Sequence, residues 1–260
     1  MKGILIYNKK DYNRNKHYAK WLQDVAFQHD MELEMVYRED YYKQGLNDSE
    51  TITFAINRSR DHHLSLLLEL NDIKVFNNSK VTFLGNDKLA AYHHAKNQGV
   101  PFPSVLLNWT NQDNIISKPI HGHGGDGVIK LGETVEIPSF YNRIQQEQVY
   151  SLIGDIRFYI INNQIVHAVI RKNNGELLLN YSHHKQCELF HYTAEHRQLI
   201  TQLLSGLHID YAGVDFFLTD NEQLIFNEIE DVVGSRMLSD LGINNTAELY
   251  IKHIFNSLTG

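Results

Sequence analysis

Three carboxylates late in the chain have the spacing of a cation site. Residues 211–231 contain two apolar runs separated by a polar turn, which is the composition of a β-hairpin. If the turn is centred at 221–222, Asp215 lies directly opposite Glu228, and the two-residue period of a strand puts Glu230 on the same face as Glu228. Carboxylates this close repel one another, so the patch favours a bound cation, and oxygen ligands suit Mg²⁺ or Mn²⁺. A solvated strand end is the alternative.

A glycine-rich loop that follows a lysine is the second candidate. The letters GxGxxG occur after Lys118, at Gly122, Gly124 and Gly127, with Gly125 between them. The next four residues, VIKL, are mostly apolar and typical of a strand, so the element is predicted as strand, loop, strand. Such a hairpin can cover phosphates with its backbone N–H groups while the lysine supplies positive charge. An ordinary polar hairpin with an exposed Lys118 is the alternative.

Other nucleotide-binding loops do not fit this segment. A Rossmann fingerprint requires a helix after the loop, and a P-loop requires Lys and then Ser or Thr directly after the last glycine. A protein kinase would also carry HRD and DFG sequences, which the chain lacks. The loop is therefore predicted as a phosphate-binding hairpin of another kind.

The first part of the chain alternates apolar strands with amphipathic helices. Strands are predicted over residues 3–7, 32–37, 51–56 and 73–76. This alternation is typical of a parallel α/β layer, which we place at residues 1–84. Asp61 is predicted as the N-cap of one helix and Asn86 as the N-cap of the next.

The remainder of the chain is richer in strands. From residue 115 onward, apolar runs alternate with turns, and helices are predicted over 194–208 and 245–258. We predict a segment 85–145 that carries the glycine loop and a segment 146–260 that carries the acidic hairpin. The predicted fold class is mixed α/β, a parallel layer followed by two α+β segments.

Composition excludes several classes of partner. With 260 residues, 24 Lys plus Arg and 31 Asp plus Glu, the formal charge is -7. Non-specific nucleic-acid binding depends on cationic side chains, so we predict no nucleic-acid partner. The chain has no run of membrane-spanning length and a single cysteine, Cys187, which predicts a cytoplasmic protein with no membrane partner. The sequence leaves open whether the protein forms an oligomer.

In their order and spacing, these features resemble the ATP-grasp superfamily, and within it the ribosomal-protein S6 glutamate ligase-like (RimK-like) branch. The matching segments are 86–89, 99–101, 118–127, 146–149, 154–157, 213–215 and 227–230. The resemblance implies a parallel layer followed by two subdomains that clasp ATP. Members with this pattern usually carry Asn at the position of Glu230, and the turn over 231–236 also differs here.

The resemblance implies a role for each candidate side chain. The ATP-binding set is Lys88, Lys118, Gly122, Gly124, Gly125, Gly127, the adenine hinge Gln146, Glu147, Gln148 and Val149, and Asp155 near the ribose. The set that holds Mg²⁺, or Mn²⁺, is Asp215, Glu228 and Glu230. The catalytic set is Arg157, Arg171 and Arg236, which would contact a carboxylate or acyl phosphate, together with Asn180, which aligns with an active-site asparagine of the family.

The implied activity is ATP-dependent joining of a small-molecule carboxylate to an amine. ATP phosphorylates the carboxylate, and an amine, expected from an amino acid or small peptide, attacks the acyl phosphate. This reaction needs no protein nucleophile and depends on positioning and charge stabilisation, which agrees with a candidate set of lysines, arginines and carboxylates. Two alternatives stay open: a ligase with a different nucleophile such as a thiol, and a nucleotide-binding module without turnover.

Overall fold

Three β-sheets organise the chain in the computed structural model, which describes residues 1–46, 49–132, 141–150, 152–172 and 187–260. The strands are β1 (Lys2–Tyr7), β2 (Glu32–Tyr37), β3 (Phe54–Asn57), β4 (Lys74–Phe76), β5 (Ile115–Pro119), β6 (Ile129–Lys130), β7 (Arg143–Glu147), β8 (Leu152–Ile161), β9 (Gln164–Lys172), β10 (Cys187–Leu189), β11 (Tyr211–Thr219) and β12 (Leu224–Glu230). The helices are α1 (Lys9–Gln28), α2 (Arg38–Gln44), α3 (His62–Glu69), α4 (Ser79–Asn86), α5 (Lys88–Asn97), α6 (Ala194–Leu203), α7 (Arg236–Asp240) and α8 (Thr246–Thr259), with a 3₁₀ turn at Ser49–Thr51.

The first sheet is parallel, with strand order β2-β1-β3-β4. This confirms the predicted α/β layer, and Asp61 caps α3 by accepting a hydrogen bond from the Leu64 N–H. The prediction that Asn86 caps the next helix is wrong. Asp87 accepts from the Ala90 N–H at 2.9 Å, so α5 begins at Lys88, while Asn86 ends α4 and donates to the Thr82 carbonyl.

The second sheet is antiparallel, has the order β10-β9-β8-β11-β12, and lies between two apolar cores. On one face, Phe158 and Ile160 pack into a cluster that includes residues of α4, α5 and α6. On the other face, Tyr159 and Ile161 pack into a cluster with residues of α1, α8 and the parallel layer. Burial of both faces explains the unbroken apolar run over residues 158–161 of β8.

Charge replaces apolar side chains along the second of these faces. Strand alternation puts Asp155 and Arg157 on the same face as Tyr159 and Ile161. Tyr159 and Ile161 belong to the core, whereas Asp155 and Arg157 line a cavity. One face of a single strand therefore holds the core at one end and presents charged groups at the other.

The third sheet is a small antiparallel one with the order β6-β5-β7. Ser117 on β5 pairs with Ile129 on β6, and the glycine loop connects these two strands, as predicted from the sequence. The mixed α/β fold class is confirmed, whereas the segment boundaries at 84/85 and 145/146 stay a prediction. No helix among the described residues is long and apolar enough to cross a bilayer.

Candidate active site

A cavity of about 450 Å³ lies between the two antiparallel sheets. The smaller sheet contributes Lys118 and the glycine loop, and the larger sheet contributes charged side chains from four neighbouring strands. The predicted residues that line it are Lys88, Lys118, Gly122, Gly124, Gly125, Gln146, Asp155, Arg157, Arg171, Asp215, Glu228, Glu230 and Arg236. The structure thus brings together most of the residues that the sequence singled out, from segments up to about 150 residues apart.

The β11–β12 hairpin places Asp215 opposite Glu228, as predicted, although its turn is not the one expected. Phe216 pairs with Phe226 and Leu218 with Leu224, which centres the turn on residue 221. The register then shifts by one residue between Asp215 and Phe216, and Asp215 pairs with Glu228. A β-bulge at Asn227 therefore compensates for the displaced turn.

The bulge also adds a polar side chain to the cavity. Phe226 and Ile229 belong to the core, whereas the two residues between them, Asn227 and Glu228, both line the cavity together with Glu230. Bulges next to functional sites commonly redirect side chains in this way. Asn227 was not among the predicted site residues, because regular alternation would have placed it on the face opposite Glu228.

Two arginines neutralise the carboxylates of the larger sheet. The Arg157 Nε and Nη2 donate to the two oxygens of Asp215 at 2.8 and 2.7 Å, and Nη1 lies 2.6 Å from Glu230. Burial alone would lower the pKa of Arg157, but Asp215 and Glu230 raise it well above its ordinary value. Gly213 makes room for this side chain, since a Cβ there would lie 3.1 Å from the Arg157 Cδ.

Arg171 forms a second buried pair with Asp155. Its Nε donates to Asp155 at 2.8 Å and its Nη2 contacts the other oxygen, while Nη2 also lies 3.7 Å from Asp215. Burial raises the pKa of Asp155 to about 6, opposed by Arg171. Because both oxygens of Asp155 face Arg171, its observed role is to orient that guanidinium, whereas the ribose contact stays a prediction.

Lys118 is buried and only 5% exposed, which eliminates the alternative of an exposed lysine on a polar hairpin. Its Nζ donates to the Tyr92 hydroxyl at 2.6 Å and to the Asn227 Oδ1 at 3.3 Å, and Tyr92 donates in turn to the Gln146 Oε1. Burial lowers the pKa of Lys118 to about 7; Glu228 opposes this shift and Lys88 adds to it. The ammonium is therefore poorly compensated and suited to an anionic ligand.

Lys88 connects the glycine loop to the acidic hairpin. It is the first residue of α5, its Nζ donates to the Gly122 carbonyl at 2.6 Å, and it lies 3.9 Å from Glu228. Burial raises the pKa of Glu228, and Lys88 opposes that shift. Because Asp87 rather than Asn86 caps the helix, the lysine side chain leaves the first turn beside the loop.

The glycine loop needs glycine at three positions. Gly124, Gly125 and Gly127 have φ values of 65°, 74° and 71°, in the left-handed region that other residues rarely adopt. Gly127 is packed against Pro119 and its carbonyl accepts from Arg143, so this glycine shapes the loop without lining the cavity. The other two face the cavity, where their backbone can approach a ligand closely.

The predicted adenine hinge lies at the end of β7. Gln146 lines the cavity, but Glu147 is exposed, and the N–H groups of Glu147 and Gln148 already donate to the Ser104 and Asn114 carbonyls at 2.9 and 2.8 Å. Those two donors are therefore engaged within the protein. The hinge role of 146–149 stays a prediction.

Three further residues of the cavity carried no recognisable signal in the sequence. Arg14 enters from α1, and Ile116 and Phe217 supply apolar walls from β5 and β11. Arg14 lies about a hundred residues before the glycine loop, in a polar helix, and only the tertiary fold brings it to the site. The predicted Arg236 is exposed at the start of α7 and does line the cavity, whereas Asn180 lies outside the described residues.

The donor set of the hairpin fits a hard divalent cation. Asp215, Glu228 and Glu230 offer carboxylate oxygens and Asn227 an amide oxygen on one face, and Mg²⁺ prefers such ligands. Among the described residues these carboxylates are balanced by Arg157, Arg171 and Lys88. A solvated strand end, the alternative left open by the sequence, does not fit Asp215, which is 1% exposed.

A second cavity of about 310 Å³ adjoins the first and shares Gly122 and His123 with it. Its other walls are Arg60, His62, Phe83, Asn86, Asp87 and His121. Burial lowers the pKa of His123, with a further contribution from Arg60. The glycine loop therefore separates two spaces of different chemistry.

Comparisons with known proteins agree with this geometry. Residues 108–254 match the model of the RimK-like ATP-grasp domain. An uncharacterized protein of Mycoplasma genitalium is 28% identical over 258 residues, which cover 92% of this chain and 87% of the relative. Glutathione synthetase of Prochlorococcus marinus is 25% identical over 213 residues, which cover 74% of this chain and 68% of that protein. The crystal structure of D-alanine–D-alanine ligase from Bacillus anthracis, complexed with ATP, has a TM-score of 0.74 at 14% identity and covers 99% of this chain and 97% of its own.

Proposed function

The chain belongs to the RimK-like ATP-grasp domain family, as its sequence resemblance predicted, and on that premise we propose that it is an ATP-dependent carboxylate–amine ligase. One observation carries the proposal. A buried lysine and a glycine loop on one sheet face four carboxylates and two arginines on another across a single cavity. This arrangement supplies positive charge for phosphates and oxygen ligands for a metal ion within the same space.

The phosphates of ATP are assigned to the cationic side of the cavity. Lys118 has a buried ammonium with no carboxylate hydrogen bonded to it among the described residues, and Lys88 lies beside the loop. The N–H groups of Gly124 and Gly125 add dipoles that favour anions. Ile116 and Phe217 offer apolar walls for the base, next to the hinge at 146–149.

Asp215, Glu228 and Glu230 are the residues that would hold Mg²⁺, which supplies charge neutralisation for the phosphates when bound. The arginines are proposed to bind anionic groups of the substrate. Arg157 and Arg171 present planar donors that match carboxylate and phosphate oxygens, and Arg236 stands at the same cavity with its side chain exposed. We assign these three side chains to the substrate carboxylate and to the acyl phosphate formed from it.

The proposed reaction has two steps. A carboxylate oxygen attacks the γ-phosphorus while the bond from that phosphorus to ADP breaks, which gives an acyl phosphate and ADP. The amine nitrogen then attacks the acyl carbon, phosphate leaves, and the nitrogen loses a proton. Both steps proceed by positioning and electrostatic stabilisation, for which this chain supplies cations at fixed positions.

An amino acid or small peptide is the proposed amine, and the second cavity, with Arg60, is the proposed location for its carboxylate.

ADP release with a panel of amino acids and dipeptides, followed by mass detection of the product, tests this function. We expect one pair to release ADP and phosphate in equal amounts with formation of an amide. Lys118→Ala and Glu228→Gln should each abolish release, and Lys130→Ala, on the short strand after the loop, is the matched control. Unchanged release in both site variants would refute the assignment of the site.

The two alternatives give different results in the same assay. A ligase with a thiol nucleophile would release ADP only with thiol acceptors and yield a thioester. A nucleotide-binding module would bind ATP and release no phosphate with any mixture.

A further inference from the structure

Two imidazoles and one carboxylate converge outside both cavities. The Nε2 atoms of His208 and His253 lie 3.1 and 2.8 Å from the same oxygen, Oδ1 of Asp210, and all three atoms lie within 4.8 Å of one another. His208 and Asp210 immediately precede β11, whereas His253 comes from α8. Three potential ligands thus meet from two segments that are distant in sequence.

Asp210 is a buried acidic residue whose side-chain partners are the two imidazoles. The residue is 2% exposed, and within the described part of the chain no Lys or Arg lies within ion-pair distance of it. A buried carboxylate with no lysine or arginine beside it favours a nearby cation. A divalent cation held by the same three atoms would provide that positive charge.

The separations suit a small transition-metal ion. With metal–ligand distances of about 2.0–2.1 Å, ligand atoms around a four-coordinate zinc ion are roughly 3.3 Å apart. The two observed contacts to Oδ1 are shorter than this by only a few tenths of an ångström. The His208 side chain is 55% exposed, which leaves space for water as a further ligand.

We propose that His208, Asp210 and His253 form a binding site for a divalent transition-metal ion of the zinc class. Imidazole nitrogen with one carboxylate favours such ions over Mg²⁺. Asp210 is held in place because its backbone N–H donates to the Asn77 Oδ1 at 2.8 Å. The metal joins the C-terminal helix to the start of β11, the strand that carries Asp215, and its role is to stabilise that junction.

Cobalt(II) is the probe for this site in the 260-residue chain, which is first freed of metals by a chelator and then kept in excess Mg²⁺. Octahedral oxygen sites give weak visible absorption, whereas a four-coordinate site with two imidazoles gives an intense band. We expect one equivalent of Co²⁺ to produce the intense band and Zn²⁺ to abolish it by displacement. Zn²⁺ should also raise the unfolding temperature of the protein.

The variants His208→Gln and His253→Gln should weaken Co²⁺ binding by at least about tenfold, since even indirect ligand contacts contribute that much. His17→Gln removes an exposed histidine elsewhere and should leave the band unchanged. His208 is exposed, so His208→Gln decides the question even where His253→Gln disturbs packing of α8. An intense band that persists in His208→Gln, or no such band in the parent protein, would overturn the proposal.

Discussion

Arg157 on β8 lies directly opposite Asp215 on β11, and its guanidinium donates to both carboxylate oxygens, at 2.8 and 2.7 Å. The same guanidinium reaches Glu230 at 2.6 Å. Two of the three carboxylates proposed as metal ligands are therefore paired with an arginine that is itself proposed to contact substrate. The Arg157 guanidinium therefore lies between two carboxylates, Asp215 and Glu230, that a bound metal ion would also contact.

This pairing predicts that Arg157→Met tightens metal binding to the nucleotide-free protein. A unit charge about 4 Å away is worth roughly 4 kcal/mol at an effective dielectric constant of 20, so its removal should raise Mn²⁺ affinity by at least about tenfold. Electron paramagnetic resonance of free Mn²⁺ measures this directly. Ligase turnover should fall in the same variant, because the acyl phosphate loses a partner.

Arg236→Met is the matched control for metal binding. Arg236 lines the same cavity but forms no ion pair with a carboxylate among the described residues. Its removal should change Mn²⁺ affinity much less than removal of Arg157. Weaker Mn²⁺ binding in Arg157→Met would contradict the view that the arginine competes with the metal.

Asn77→Ala should destabilise the protein by about 2–4 kcal/mol. The buried amide donates to the Tyr211 and Asp231 carbonyls and accepts from the N–H groups of Asp210 and Tyr211. It thereby joins the parallel layer to β11 and β12, and alanine would leave these backbone groups unpaired. Urea unfolding measures the loss. Asn71→Ala, which removes one hydrogen bond at an exposed position, should stay within about 0.5 kcal/mol.

Gly154→Ala should cost about 1–3 kcal/mol, the range for overpacking a closed site. A Cβ at Gly154 would lie 2.3 Å from the Arg171 carbonyl oxygen, which is backbone on the paired strand and cannot rotate away. The strain would reach the neighbouring Asp155–Arg171 pair. Thermal unfolding measures the stability of Gly154→Ala against that of Gly234→Ala, where a Cβ would meet no atom within 4 Å. Equal stabilities would show that β8 and β9 can separate locally at little cost.

Sequence patterns predicted the positions of the candidate residues better than their partners. Asp215 and Glu228 were paired correctly because the hairpin is apolar on both sides and only the turn is polar. The prediction assumed a regular ladder, however, and the structure reaches the same pairing through a displaced turn and a bulge at Asn227. A bulge depends on backbone geometry and leaves no periodic trace in the sequence.

The ion pairs within the site could not be predicted for a related reason. Arg157 and Arg171 were selected as groups for substrate, but their observed contacts are to Asp215 and Asp155. Those contacts depend on which strands are neighbours, and the order β9-β8-β11 does not follow the order in the chain. Tyr92 was missed in the same way, since it reaches Lys118 from a helix in another segment.

The lowered pKa of Lys118 leads us to expect that nucleotide binding depends on pH. Burial lowers its pKa to about 7 in the free protein, and bound phosphates favour the charged ammonium, so its pKa is higher in the complex. Affinity is then greatest below pH 7 and falls above it by up to tenfold per pH unit, because binding must take up a proton. The decline ends where pH exceeds the pKa of the complex.

Calorimetry at about pH 8 measures this proton directly, since the nucleotide phosphates, with a second pKa near 6, are then ionised. Titrations in two buffers of different ionisation enthalpy should show uptake approaching one proton per ATP bound. Lys118→Arg retains a charge throughout this range and should bind ATP without proton uptake. If the parent protein also takes up no proton at this pH, the protonation state of Lys118 does not change when the nucleotide binds, and the predicted pH dependence is wrong.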